Sequence, residues 1–299
     1  MRVKITADDG VYTDLYCVID VSGGPAATNY PVTFLSSQPV LNDEYKTNKI
    51  LLRRIPAGTF TMGSPTNELG RLNDETQHRV TLTSNFYIGV YEITQAQYSN
   101  VMNVCPAKFQ EGSNGPKRPV EMVLWSAVRG GTWPDGAPGN NTFMGKLRTK
   151  AHKNFDLPTE AQWEYACRAG TAAALNNGAN LINEYNDWNM NLVGRYSYNG
   201  GSLYSSDPTN GAHTIVGSYL VNNRGLYDMH GNVYEWCLDW VAAYTGDVTD
   251  PAGPTSGLYR VIRGGSWLGS AGLCRSASRD DRDAASRTIG LRLCLPASW

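Results

Sequence analysis

The sequence predicts an α+β fold in which short strands and two helices carry long irregular loops. Three observations lead there. Runs of β-branched and aromatic residues alternate with turn signals, and two segments carry helix-capping patterns. The composition is loop-rich, with Gly 31, Pro 15, Trp 8 and Tyr 17. Charged residues make up 18% of the chain, below the roughly 25% of an average soluble protein, while 41% hydrophobic residues suffice for a sizeable core and exclude a disordered chain. No apolar run approaches the length of a membrane-spanning helix. A formal net charge of -1 gives no basic excess for phosphates, so nucleic acid is not an expected partner.

The elements follow in order. RVKIT, DLYCVIDV and PVTFL, separated by DDG, SGGP and SSQP, read as a β-rich leader over residues 1–48, packed on a main domain of residues 49–299. The N-terminus alternates rather than showing the apolar stretch of an export signal. KILLRRIPAGTFTMGS gives two strands broken at Pro56, Ala57 and Gly58, and RVTLTSNFYIGVYEIT gives another pair. TQAQYSNVM forms a helix capped by Thr94. A second helix starts at Thr159, whose capping box closes on Gln162; Trp163, Ala166 and Cys167 share its apolar face and Gly170 stops it. Residues 170–223 are rich in Asn, Gly, Ser and Tyr without periodicity, and loops that long are usually functional or held by something else.

The six cysteines are scattered without a CxxC and the four histidines without an HxxxH, which points away from zinc. In GLYDMHGNVYEWCLDW, Asn232 and Glu235 beside two glycines suit an oxygen-only calcium site; an Asn in a turn and a capping Glu fit the same residues. Trp236 and Trp240 read as core. The C-terminal region is odd in composition: between Leu268 and Ser298 there is no Lys, Glu, Gln, Met or Trp. Apolar residues Val261, Ile262, Leu291, Leu293 and Leu295 bracket it as closing strands, which leaves its middle as a surface loop held at both ends.

Seven motifs in order, IPAGTFTMGS, YEITQAQY, RPVEMVLW, LPTEAQWEYACRAGT, GLYDMHGNVYEW, RVIRGGSW and GLRL, resemble the formylglycine-generating enzyme, or sulfatase-modifying factor, family over residues 49–299. The resemblance implies a C-type lectin fold: a small antiparallel sheet, two helices and abundant irregular structure, some of it organised by calcium. Members that are oxidases hold copper through two cysteines, at positions that match Gly269 and Cys274 here. One thiolate is missing, and a single soft ligand holds cuprous ion poorly. The related iron-dependent sulfoxide synthases use a histidine triad that this sequence lacks. No catalytic cofactor is therefore expected, with a copper or iron oxidase kept as the alternative.

The stretch RGGSW, CRSASR and GLRL is also similar to the variable proteins of bacterial diversity-generating retroelements. In such systems mutated AAC codons become NNC, which cannot encode the five missing residue types. The resemblance implies a receptor-like or adhesin-like protein, at the cell surface or secreted, binding protein or glycan ligands on other cells or molecules through a variable region over about 260–299. The positions expected to be diversified are Leu268, Gly269, Ser270, Gly272, Leu273, Ser278, Asp280, Asp281, Arg282, Asp283 and Thr288, forming one exposed patch. Gly264, Gly265, Ser266, Trp267, Arg275, Arg279, Arg287, Gly290 and Arg292 are expected to be scaffold, the arginines tying the loop down through their donor forks. A purely structural domain without a variable region remains the third class.

Overall fold

The structure, a computed structural model, describes residues 14–200 and 212–296; the strand expected from RVKIT lies outside the described residues. In chain order the first strands are β1 (Tyr16–Asp20), β2 (Val32–Leu35), β3 (Lys49–Ile55), β4 (Gly58–Met62), β5 (His78–Leu82) and β6 (Phe86–Gly89). They continue as β7 (Gly194–Arg195), β8 (His230–Gly231), β9 (Tyr234–Trp240) and β10 (Val248–Thr249). The last are β11 (Arg260–Arg263), β12 (Arg279–Arg282), β13 (Ile289–Gly290) and β14 (Cys294–Pro296). The helices are α1 (Gln95–Met102), α2 (Trp125–Val128), α3 (Phe143–Ala151), α4 (Glu160–Arg168) and α5 (Trp188–Val193).

Local chemistry accounts for the two predicted helices. In α1 and α4 the threonine before the first turn accepts from the backbone N–H of a glutamine, Gln97 or Gln162, whose side chain accepts in return from the threonine N–H. Both end on a residue in the left-handed region, Asn103 and Ala169. Among the described residues three further helices form. The Thr142 side chain caps α3 through the Gly145 N–H, and Phe143, Met144 and Leu147 of that helix are fully buried. Its signal is weak in sequence because glycine stands where a capping box places Glu or Gln. Helices α2 and α5 span only four and six residues, and tertiary packing rather than propensity holds pieces so short.

Two sheets frame the molecule. The larger has the order β14-β6-β3-β1-β2, so β1 and β2 from the first 48 residues share a sheet with β3, β6 and the last described strand. The second has the order β12-β11-β9-β13, and its two faces serve different cores. Trp236, Leu238 and Ile262 pack with Val120, Trp125 and Leu291, while Cys237 and Val261 pack with Trp163 and Ala166 of α4. This sheet, with apolar cover on both sides, is the platform from which the C-terminal loop departs.

Candidate ligand-binding surface

The loop leaves the sheet at Gly264 and Gly265, both at positive φ (95° and 75°), where L side chains are strained. A Cβ on Gly265 would also overlap the Cys274 sulfur and the Leu273 carbonyl, so the turn requires glycine. Trp267 then drops into the interior, 1% exposed. Its backbone N–H donates to the Asn232 carbonyl at 2.9 Å, its indole N–H to the Arg287 carbonyl at 3.1 Å, and its ring meets Phe109 edge-on at 5.5 Å.

Beyond Trp267 the loop is fixed from beneath by arginines. Arg275, fully buried, donates to both oxygens of Glu75 (2.7 and 2.8 Å), to Glu68 at 2.6 Å and to the carbonyls of Gly70 and Gly272. Arg263 donates to Glu164 and to the carbonyls of Ser276, Ala277 and Ser278. Arg279 grips Glu160 with two parallel bonds at 2.9 and 2.8 Å. Arg292 does the same with Glu235 and also donates to the carbonyls of Gly89 and Tyr227. Each guanidinium thus pairs a buried carboxylate and, in the same fork, fastens backbone carbonyls, which suits its planar donor geometry. Arg287 departs from the expected scaffold role: its side chain is exposed and lies over the Trp267 ring at 5.7 Å.

His230 fastens the loop from the other side. Its Nδ1 sits 2.7 Å from the Cys274 carbonyl, and its Nε2 accepts from the Asn176 N–H at 3.0 Å. Those partners require the neutral imidazole protonated on Nδ1, and burial lowers its pKa to about 4.

The expected variable positions divide. Leu273, Arg282 and Asp283 are exposed, and Leu268, Ser270, Asp280, Asp281 and Thr288 are half-buried. Gly269, Gly272 and Ser278 are buried, which corrects the expectation that they lie on the surface. The reason is local: Gly272 packs on Gly70, where an added Cβ would stand 2.9 Å from the Glu184 Cγ, and the Ser278 carbonyl is fastened to Arg263. Nor do all the rest face one way. Asp280 and Arg282 lie on one face of β12, ion-paired at 2.9 Å, whereas Asp281 alternates to the other. Leu268 and Leu273 sit at the Gly264 end of the hairpin, and Asp283 follows the far end of β12.

Sequence reasoning missed the neighbours of this loop. Leu69, Leu72, Tyr185 and Trp188 are exposed, and the carbonyls of Glu184 and Tyr185 accept from Gly272 and Ala271. Exposed aromatics in the Asn-rich stretch NEYNDW were the available signal.

Neither implied metal finds a fitting donor set. Glu235, expected as a calcium ligand, accepts from Arg292 on both oxygens and from the Trp163 indole at 2.7 Å, so no carboxylate oxygen is left for a cation. Asn232, expected beside it, uses its side-chain oxygen to accept from the Thr214 N–H at 2.8 Å. At the copper position Gly269 offers no sulfur. Cys274 is then a single thiol, and burial pushes its pKa up to about 12.

Comparison with known proteins places this architecture. Residues 39–296 match the family described as the sulfatase-modifying factor enzyme 1-like domain. The mouse formylglycine-generating enzyme is 27% identical over 277 residues, covering 80% of this chain and 73% of that protein. Among solved structures, Treponema denticola variable protein 1 superposes with a TM-score of 0.65 at 26% identity, over 83% of this chain and 95% of that one. PvdO from Pseudomonas aeruginosa gives 0.65 at 25% identity, over 82% of this chain and 94% of that one. A family match over most of the chain, on a lectin-type sheet with its loop pinned by buried arginines, assigns the chain to the sulfatase-modifying factor, or formylglycine-generating enzyme, family.

Proposed function

We propose that this protein is a ligand-binding member of its family, displaying a variable C-terminal surface to protein or glycan ligands at the cell surface or after secretion. The observation that carries the reading is the likeness to a treponemal variable protein over nearly the whole of that chain. Support comes from the C-terminal loop itself. Its backbone is anchored by Arg263, Arg275 and Trp267, so Leu268, Leu273, Asp280, Arg282 and Asp283 contribute little to the core and can change without unfolding it. Ligand recognition then rests on a constant backbone with changing side chains.

The gene tests this. Its 3′ end is expected to have a near-copy beside a reverse transcriptase, differing mainly at adenines of the copy; the absence of any such copy would overturn the retroelement reading. The rival, a copper oxidase, rests on the likeness to the mouse enzyme. Incubation with cuprous ion and a sulfatase-motif peptide is expected to leave the peptide cysteine unchanged, and aldehyde formation would decide for the rival.

A further inference from the structure

On the α4 side of the second sheet, bordered by Arg279 of β12, lies a cavity of about 440 Å³ between the start of α4, the end of β9 and the segment 242–254. This is within the roughly 300 to 1,000 Å³ range of small-molecule sites. Met62, Val248 and Pro254 give it apolar walls, and its polar groups are Glu160, Asp239, Tyr244, His78 and Arg279.

The charges there are unequally matched. Glu160 receives both forks of Arg279 and the Tyr244 hydroxyl at 3.0 Å; Glu164 behind it receives Arg168 and Arg263. Asp239 is 4% exposed and accepts from the Glu160 N–H at 2.8 Å, but no ion pair to it is formed among the described residues. The cations nearby do not reach it. Arg279 also donates to the Ala242 carbonyl, and Arg260, whose Nε has no hydrogen-bond partner, lies between the Trp125 and Trp240 rings at 3.7 and 3.4 Å and does not line the cavity. An anionic ligand would meet two carboxylates and, among the described residues lining the cavity, one cation already paired with Glu160. A neutral one would leave Asp239 protonated or uncompensated. An ammonium group supplies what the cavity lacks, since a buried carboxylate is costly until paired.

We infer that this cavity is a binding site for a small primary amine, its ammonium paired with Asp239 and its aliphatic or aromatic arm against Met62, Val248 and Pro254. Burial, and the charge of Glu160, raise the Asp239 pKa to about 7, so an incoming ammonium displaces a proton to solvent. The other groups facing Asp239 are Arg279 on β12, Arg260 on β11, Cys237 on its own strand, and, across the cavity, His78 on β5 and Tyr244. A carboxyl of pKa about 7 is roughly tenfold more ionised at pH 8 than at pH 6, and amine affinity should rise by that factor.

Isothermal titration of the full chain with phenethylamine, its neutral counterpart 2-phenylethanol and phenylacetate tests this. The amine is expected to bind at least about tenfold more tightly than either counterpart, and about tenfold more tightly at pH 8 than at pH 6. Asp239→Asn keeps an acceptor for the Glu160 N–H and should weaken the amine about tenfold and abolish the pH dependence. Ala243→Trp, on the exposed rim, should block the cavity without touching the core. Equal binding of amine and alcohol, unchanged binding in Asp239→Asn, or no binding of phenethylamine or butylamine by the folded wild-type chain would each overturn the assignment.

Discussion

Arg275 and Arg282 belong to one C-terminal stretch and do opposite things. Arg275 is fully enclosed, pairs Glu68 and Glu75 and holds two carbonyls; Arg282 reaches from an edge strand into solvent and pairs Asp280 with its own side chain about half exposed. The first kind of contact is expensive to break because the partner carboxylate stays buried, while the second is screened by water and contributes at most about 1 kcal/mol. A loop built from both kinds has a constant backbone and a replaceable exterior. Arg287 falls with the second group, although its carbonyl, accepting from Trp267, serves the first.

The sharpest way to break this contrast is Arg263→Ala. It leaves Glu164 with Arg168 as its cation partner and releases the carbonyls of Ser276, Ala277 and Ser278, and should cost about 2 to 4 kcal/mol in urea unfolding. A loss under about 1 kcal/mol would place Arg263 with the exposed group.

Acid should loosen the same anchoring through His230. Unfolded, this residue protonates near 6.5; folded, only near 4, so the stability it contributes above 6.5 is lost as pH falls through that window. The slope from this group should reach up to about 1.4 kcal/mol per pH unit, and His230→Gln should flatten it. Urea midpoints measured between those limits check both points.

The smallest effects sharpen the boundary between buried and replaceable positions. Gly272→Val should cost about 1 to 3 kcal/mol because its Cβ collides with Glu184, whereas Asp283→Ala and Leu273→Ala should change stability by less than about 0.5 kcal/mol. Equal tolerance at Gly272 and Asp283, measured by thermal melting, would erase the division within the loop.

Residue patterning alone is enough for the strands β1 to β6, the helices α1 and α4 and the closing strands at Val261 and Leu295, because alternation, turn residues and capping boxes act within a few residues of each other. The resemblance to variable proteins implied a scaffold role for Trp267 and the arginines 275, 279, 287 and 292, and of these Arg287 is exposed. The rest is set by packing between segments distant in the chain. Gly272 is buried because Gly70, some 200 residues away in sequence, closes over it, and Glu235 is an arginine's partner because Arg292 arrives from the segment between β13 and β14. Asp280 and Asp281 read alike as neighbouring acids, yet pairing of β12 with β11 turns them to opposite faces. Among the described residues Asp239 is left without an ion pair for the same reason: which arginine reaches which carboxylate is set by how strands and helix pack, and no local pattern encodes that choice.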